Sequence, residues 1–280
     1  MKRACVIGWP VSQSLSPVIH GYWLKKYGIQ GSYEKAAVEP KDFEKFLTSL
    51  AANGFCGANI TVPHKIEAHR LCICRDAAAE AIGAVNTVWL DGRELAGSNT
   101  DAFGFLANLD NEAPGWDRGG GPAVVIGAGG AARAIVWALR ERGFEDIRIV
   151  NRTRFRAEEL AAAFPPARAS DFEGLERVLE NARFIVNTST LGMKGAPPLD
   201  IDLSPVAPDA SVCDIVYFPL ETRLLGQARD RGLRAVDGLG MLLHQAVPGF
   251  QAWFGERPEV TLELRQAVLA AIAARESAAP

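Results

Sequence analysis

Apolar positions recur along the chain with two alternating periods. The runs Ala4–Trp9, Ser32–Val38, Ala58–Val62 and Val85–Leu90 read as strands, whereas Pro17–Tyr27, stopped by Gly28, reads as a helix. Lys41–Asn53 carries Phe43, Phe46, Leu47 and Leu50 at helical spacing and is ended by Gly54. Strand and helix in alternation predict a mainly parallel sheet. From Asn108 to Pro122 four glycines and two prolines interrupt a polar stretch, which predicts a surface connection without a regular element. A second alternation follows: strand Ala123–Ile126, helix Ala131–Arg142, strand Ile147–Asn151, helix Arg154–Phe164, strands Phe184–Asn187 and Val212–Tyr217, and helix Thr222–Arg231. The helical stretches Met241–Phe254 and Leu262–Ala274 have no strand after them, so they are expected to pack back on one of the sheets.

Composition sharpens this picture only by exclusion. At 280 residues the chain is long enough for two domains, and 48% hydrophobic with 22% charged residues is the balance of a folded protein rather than a disordered or coiled-coil one. A net charge of −3 lacks the broad positive field of a nucleic-acid binder. The longest apolar or small stretch near the middle, Ala123–Ala132, stops at Arg133, too short to cross a bilayer, so no membrane partner is expected. The apolar run after Lys2 and Arg3 ends at Pro10, too short for a secretory signal, and a cytoplasmic location is expected. Cys5, Cys56, Cys72, Cys74 and Cys213 are scattered without ligand spacing, which predicts reduced structural thiols and no metal.

The strongest local signal follows the strand Val124–Ile126. There Gly127-Ala128-Gly129-Gly130-Ala131-Ala132 fits G-x-G-x-x-G/A between a strand and a helix. Gly127 would allow the tight turn, Gly129 the approach of a pyrophosphate, and Ala132 close helix packing, with free N–H groups facing the anion. The pattern predicts a Rossmann-type dinucleotide site rather than a merely tight turn. The next strand ends Asn151-Arg152-Thr153, without the acid that would bind a ribose 2′-hydroxyl. Arg148, Arg152, Arg154 and Arg156 instead suit a 2′-phosphate, so NADP is the expected cofactor. Arg148 and Arg154 read equally well as solvated residues; Arg152 and Arg156 are better placed, with Thr153 as a candidate N-cap whose hydroxyl also reaches the phosphate.

A nicotinamide enzyme needs a group that moves a proton at the reacting oxygen. Lys65 follows a strand's carboxyl end, where ligand crevices lie, and Asp101 precedes an apolar helix; alone, each also reads as a solvated helix-start lysine or a helix cap. His64 is the rival, but adjacent side chains point apart, so only one of the two faces the crevice. His20 and His244 lie in apolar helices, where local hydrogen bonding is the expected role, and His69 reads as exposed.

Ser14-Leu15-Ser16-Pro17, Asn59-Ile60-Thr61-Val62-Pro63-His64-Lys65, Gly83-Ala84-Val85-Asn86-Thr87 and Asn99-Thr100-Asp101 occur in that order. Asn151-Arg152-Thr153, Asn187-Thr188-Ser189-Thr190-Leu191-Gly192-Met193 and Asp237-Gly238-Leu239-Gly240-Met241-Leu242 leading to Gln245 follow the glycine turn. With these motifs the chain resembles the shikimate dehydrogenase family from about residue 8 to about 250. The resemblance implies NADPH-dependent reversible reduction of 3-dehydroshikimate to shikimate in aromatic amino-acid biosynthesis, with Lys65 and Asp101 as the catalytic pair. It also implies substrate contacts at Ser14, Ser16, Asn59, Thr61, Lys65, Asn86, Asp101, Tyr217 and Gln245, and adds Thr188, Met193, Ile215 and Gly238 to the cofactor residues.

The expected organisation is α/β. A mainly parallel substrate domain spans residues 1–104, a Rossmann-type doubly wound NADP-binding domain 105–238, and C-terminal helices 239–280 return to the first domain. A monomer or homodimer acting on a small molecule is expected. The alternatives are a quinate/shikimate dehydrogenase of broader specificity and a non-catalytic NADP-binding sensor, which would be expected to lack Lys65 or Asp101.

Overall fold

A computed structural model describes residues 1–118 and 120–277; Gly119, the first of the glycine run at 119–121, lies outside the described residues. The chain divides into two compact units, one of Met1–Thr100 with the chain from Leu243 onward, the other Asp101–Leu242.

The first unit contains β1 (Lys2–Gly8), α1 (Ser16–Lys26), β2 (Gly31–Ala37), α2 (Phe43–Thr48), β3 (Gly57–Ile60), α3 (Lys65–Leu71), β4 (Cys74–Arg75), α4 (Ala77–Ile82), β5 (Thr87–Asp91) and β6 (Glu94–Ser98). The strands lie in the order β2-β1-β3-β5-β6-β4. β1 runs parallel to β2 and β3, β4 runs parallel to β6, and β5 is antiparallel to both β3 and β6. The β5–β6 hairpin is thus the departure from a parallel sheet. The helix expected over Lys41–Asn53 is shorter: a 3₁₀ turn at Pro40–Asp42 leads into α2, which stops at Thr48, whose hydroxyl donates back to the Glu44 carbonyl. Such back-bonding competes with helix propagation. Phe43, Leu47 and Leu50 still pack with Ile7, Ile60 and Val88 in one buried cluster.

The second unit opens with α5 (Thr100–Glu112), whose first residue belongs to the preceding unit. This corrects the reading of Asn108–Pro122 as wholly irregular. Ala102, Phe105, Leu109 and Ala113 recur at helical spacing and are buried, which the count of polar residues concealed. Trp116 is buried too, stacked on Phe144 at 5.6 Å with its indole N–H donated to Asp110. Then come β7 (Ala123–Ile126), α6 (Gly130–Glu141), β8 (Ile147–Val150), α7 (Arg154–Ala163), β9 (Arg168–Ser170), α8 (Leu175–Leu179), β10 (Phe184–Asn187), β11 (Ser211–Asp214), α9 (Arg223–Asp230), β12 (Arg234–Val236) and α10 (Leu239–His244). The sheet runs β9-β8-β7-β10-β11-β12, and every pairing is parallel. The chain order therefore reverses between β7 and β10, a switch point outside which ligands bind at the strands' carboxyl ends. The strand expected to reach Tyr217 stops at Asp214, because its carboxylate accepts the Val216 N–H at 3.0 Å and turns the backbone out of the ladder.

α11 (Ala246–Phe254) and α12 (Leu262–Ser277) belong to the first unit. α11 packs on β1, β3 and β5, and both helices pack on α1. The Trp253 indole donates to the Val88 carbonyl at 2.9 Å and lies so close to β3 that a Cβ on Gly57 would sit 2.0 Å from it. Only glycine fits there. Among the described residues no helix is long and apolar enough to cross a membrane.

Candidate functional site

In the second unit the sequence-predicted nucleotide residues gather at the carboxyl ends of β7, β8 and β10. Gly127 has φ +113°, a conformation that glycine adopts without strain, and a Cβ there would lie 2.6 Å from the Thr188 hydroxyl oxygen. The two loops flanking the switch point thus touch, pinned by Thr188, whose N–H and hydroxyl both donate to the Ile126 carbonyl at 2.8 and 2.9 Å. Gly129 is the N-cap of α6 and offers no side-chain bond to the first turn. A Cβ on Gly129 or Gly130 would meet nothing within 4 Å among the described residues, whereas Ala132 is fully buried against the sheet. Ala128 and Ala131 complete the turn, half-buried. Open backbone in front of a helix start is the arrangement that receives a pyrophosphate.

A cavity of about 700 Å³ adjoins this turn, lined in part by Gly127, Asn151, Arg152, Phe172 and Ser189. The four arginines separate cleanly. Arg148 is bonded to Asp146 and to the carbonyls of Val178 and Glu180, and Arg154 pairs with Glu158 and Asp171. Arg152 and Arg156 are exposed and have no side-chain partner among the described residues, and Arg152 lines the cavity. Thr153 is the N-cap of α7, as expected, but its hydroxyl makes no capping bond; its carbonyl instead accepts from Asn151 at 2.8 Å. The chemistry of this set fits NADP: backbone N–H groups for the diphosphate, two guanidinium groups for a 2′-phosphate, and no acid in the Asn151-Arg152-Thr153 end of β8; Asp171 and Glu173 also line the cavity, Asp171 paired with Arg154.

Farther along the same edge, Gly238 and Ile215 meet so closely that a Cβ on Gly238 would lie 2.2 Å from the Ile215 carbonyl oxygen. Met193 is exposed and Tyr217 half-buried. Sequence reasoning missed the group that joins these loops. Asp214, fully buried, accepts from Asn187 at 2.9 Å, the Val216 N–H at 3.0 Å and the Thr222 hydroxyl at 2.8 Å. Burial pushes its carboxyl up to about 6, against the pull of those three bonds.

The residues expected to meet substrate lie mostly in the first unit. Asn59 on β3 donates to the Asn86 carbonyl and the Thr87 hydroxyl, and its Oδ1 accepts from the Tyr33 hydroxyl at 2.6 Å. Asn86 Oδ1 accepts from the backbone and hydroxyl of Thr100 and from the Thr87 hydroxyl. One buried network thus brings together the β3 end, the β5 start and the chain just before Asp101. Thr87 and Thr100 stand in the quoted motifs without a role of their own, and nothing in the sequence marks Tyr33. Thr61 is half-buried beyond β3, its carbonyl accepting the His64 N–H at 3.0 Å, and Lys65 opens α3, half-buried. Asp101 lies in the first turn of α5 and belongs to the second unit, as does Tyr217; Gln245, the N-cap of α11, belongs to the first. Ser14 and Ser16 flank the start of α1, where the Ser16 N–H donates to the Ser14 hydroxyl at 3.3 Å.

Packing sets His64 apart from its neighbour Lys65. His64 is 2% exposed, stacked on Phe43 at 4.2 Å, and its Nε2 donates to the Val38 carbonyl; burial holds its pKa below the usual value. Its ring faces the core. His20 corrects the expectation of local hydrogen bonding: neither ring nitrogen has a hydrogen-bond partner among the described residues. The ring lies against Tyr33 at 4.0 Å and Trp253 at 5.4 Å, and burial pushes its pKa down to about 3, so it stays neutral. His69 is not exposed either but half-buried, 3.6 Å from Glu80.

Taken together, a parallel sheet of Rossmann order with a glycine turn at its switch point defines an NADP-type α/β dehydrogenase. Three family profiles match the chain: a shikimate dehydrogenase substrate binding domain over residues 6–88, a shikimate/quinate 5-dehydrogenase over 119–193, and a shikimate 5′-dehydrogenase C-terminal domain over 238–269. The shikimate dehydrogenase (NADP(+)) of Azorhizobium caulinodans is 51% identical over 98% of this chain and 98% of its own length. Among solved structures, shikimate 5-dehydrogenase of Thermus thermophilus in complex with NADP(H) and shikimate superposes with a TM-score of 0.85 at 38% identity, covering 97% of this chain and 100% of that one. Quinate dehydrogenase of Corynebacterium glutamicum in complex with NAD gives 0.88 at 30% identity, covering 96% and 99%. The chain belongs to the shikimate dehydrogenase family.

Proposed function

We propose that this chain catalyses the reversible reduction of 3-dehydroshikimate to shikimate with NADPH, as a cytoplasmic monomer or homodimer in aromatic amino-acid biosynthesis. The observation that carries the cofactor choice is the end of β8, where Arg152 and Arg156 have no side-chain partner among the described residues while Arg148 and Arg154 are taken by acids. NADPH, when bound, supplies the hydride. Gly127, Gly129 and Gly130, with the α6 N-terminus, would hold its diphosphate, Asn151, Arg152, Thr153 and Arg156 its adenosine end, and Thr188, Met193, Ile215 and Gly238 its nicotinamide end.

The chain's own part is binding and proton handling. Hydroxyls and amides suit a polyhydroxylated acid because each both donates and accepts. Ser14 and Ser16 receive the carboxylate in this reading, while Asn59, Thr61, Asn86, Tyr217 and Gln245 take the ring hydroxyls. Lys65 donates the proton to the carbonyl oxygen as it becomes a hydroxyl, and Asp101 orients the ammonium and accepts from the substrate. His64, turned into the core, leaves this role to Lys65.

Initial rates of the purified protein with shikimate and quinate, each against NADP and NAD, test the reading. Marked preference for shikimate with NADP is expected; activity with none of the four pairs overturns it, and comparable quinate or NAD use moves the chain to the broader-specificity branch. Arg152→Ala should raise the KM for NADP roughly 10- to 100-fold, the scale of a lost charged hydrogen bond, and leave that for NAD nearly unchanged. Equal effects on both cofactors would remove Arg152 from the 2′-phosphate.

A further inference from the structure

The loop that leads into α1 is held from two distant places. Lys35 on β2 donates its Nζ to the Ser12 carbonyl, and Arg275 in the last turns of α12 donates Nη1 to the Gln13 carbonyl at 2.8 Å and Nη2 to the Ser14 carbonyl at 3.0 Å. Three successive carbonyls therefore point toward two cations. Neither cation pairs with a carboxylate among the described residues, whereas Arg3, Arg70, Arg75, Arg142 and Arg148 all do. Burial and the nearby Arg275 lower the pKa of Lys35, as expected of a cation that lacks an acidic partner. In the same loop, Ser14 and Ser16 stand at the start of α1, and that helix start receives no side-chain cap.

From this geometry we infer that Lys35 and Arg275 are positioning residues for substrate. They fix the Ser12–Ser16 loop by its carbonyls and supply, without touching the substrate, the positive potential that a carboxylate at Ser14 and Ser16 would neutralise. The inference rests on the proposed role of those two serines. Turning the carbonyls toward the cations leaves the Ser14 and Ser16 hydroxyls for the anion, since the Ser14 N–H is donated to the Val11 carbonyl and the Ser16 N–H to the Ser14 hydroxyl, and the uncompensated charge attracts it from solution in a salt-dependent way. A residue far along the chain thereby sets affinity for the acid.

The test is steady-state kinetics of Arg275→Gln, Arg275→Lys, Lys35→Gln and Ser14→Ala, with melting temperatures alongside. Arg275→Gln should raise the KM for shikimate about tenfold, with kcat within about twofold and the KM for NADP unchanged, and should flatten the fall of kcat/KM with added salt. Arg275→Lys should restore the salt dependence but only part of the affinity, because one ammonium cannot serve two carbonyls as a fork does. Lys35→Gln gives the same reading if the arginine variants fail to fold. A lowered melting temperature with unchanged shikimate KM and salt dependence would make the clamp a plain anchor for α12 and overturn the inference. If Ser14→Ala leaves the shikimate KM unmoved in an active enzyme, the carboxylate lies elsewhere and the inference falls with that assignment. An unaltered chain inactive on shikimate overturns the proposed function itself.

Discussion

Lys65→Met is expected to lower kcat about 10²- to 10⁴-fold, the range of a lost general acid, while the KM for shikimate changes little. The reason is local. Lys65 opens α3 directly after His64, and the His64 ring is stacked on Phe43 and bonded to the Val38 carbonyl, so the adjacent side chain leaves on the other side of the turn. The Lys65 carbonyl accepts the Val85 N–H at 2.9 Å, which ties the start of α3 to the segment carrying Asn86. Methionine matches the lysine stem without its ammonium, a thioether standing for one methylene. Single-turnover reduction measured by the loss of NADPH absorbance checks the prediction, and an unchanged rate would take Lys65 out of the chemistry. His64→Gln serves as the contrast, with its main effect on thermal stability.

Removing the carboxylate of Asp214 should have the largest effect on stability. Asp214→Ala leaves the Asn187 amide, the Val216 N–H and the Thr222 hydroxyl without their acceptor in a buried site, a loss of about 3–5 kcal/mol. That is a large fraction of the roughly 5–15 kcal/mol that holds a typical domain together, and the loops bearing Thr188 and Tyr217 would lose their shared tie. Asp214→Asn keeps the shape and is expected to fold. Its behaviour with pH separates charge from geometry. Burial raises the folded carboxyl from 3.8 to about 6, so between those values the folded state holds a proton that the unfolded chain has released. Stability from this group therefore declines as pH rises through about 6, on the order of 1–3 kcal/mol in all. The asparagine variant has no such titration, and its melting temperature relative to the parent should rise between about pH 5 and pH 7. A difference that stays flat, or falls, would mean the carboxyl titrates at its ordinary value.

The parts of this molecule encoded by short-range pattern are legible in the amino-acid sequence by itself. The glycine turn after Val124–Ile126 needs only its own residues and the flanking strand and helix, and it lies where expected. Short edge strands are not legible in this way: Cys74–Arg75, Arg168–Ser170 and Arg234–Val236 hold two or three residues each and are formed by a neighbour rather than by a period. β6 is hidden for another reason, since Glu94-Leu-Ala-Gly-Ser has no β-branched residue and is held by its antiparallel partner β5. Side-chain commitments over long separations are equally silent. Nothing near Tyr33 announces Asn59, and nothing near Arg275 announces Ser14. Likewise the four arginines look alike in sequence, and only the placement of Asp146, Glu158 and Asp171 tells which pair stays available.

The first unit is assembled from both ends of the chain, with the whole second unit inserted between. Domains tend to fold in the order in which the ribosome releases them. Here the first-made sheet cannot be finished first: the face of β3 that receives Trp253 at Gly57 stays bare until α11 emerges. The inserted unit, contiguous in sequence, has all its strands before then. During synthesis the inserted unit is thus complete while the first unit still waits for its last two helices.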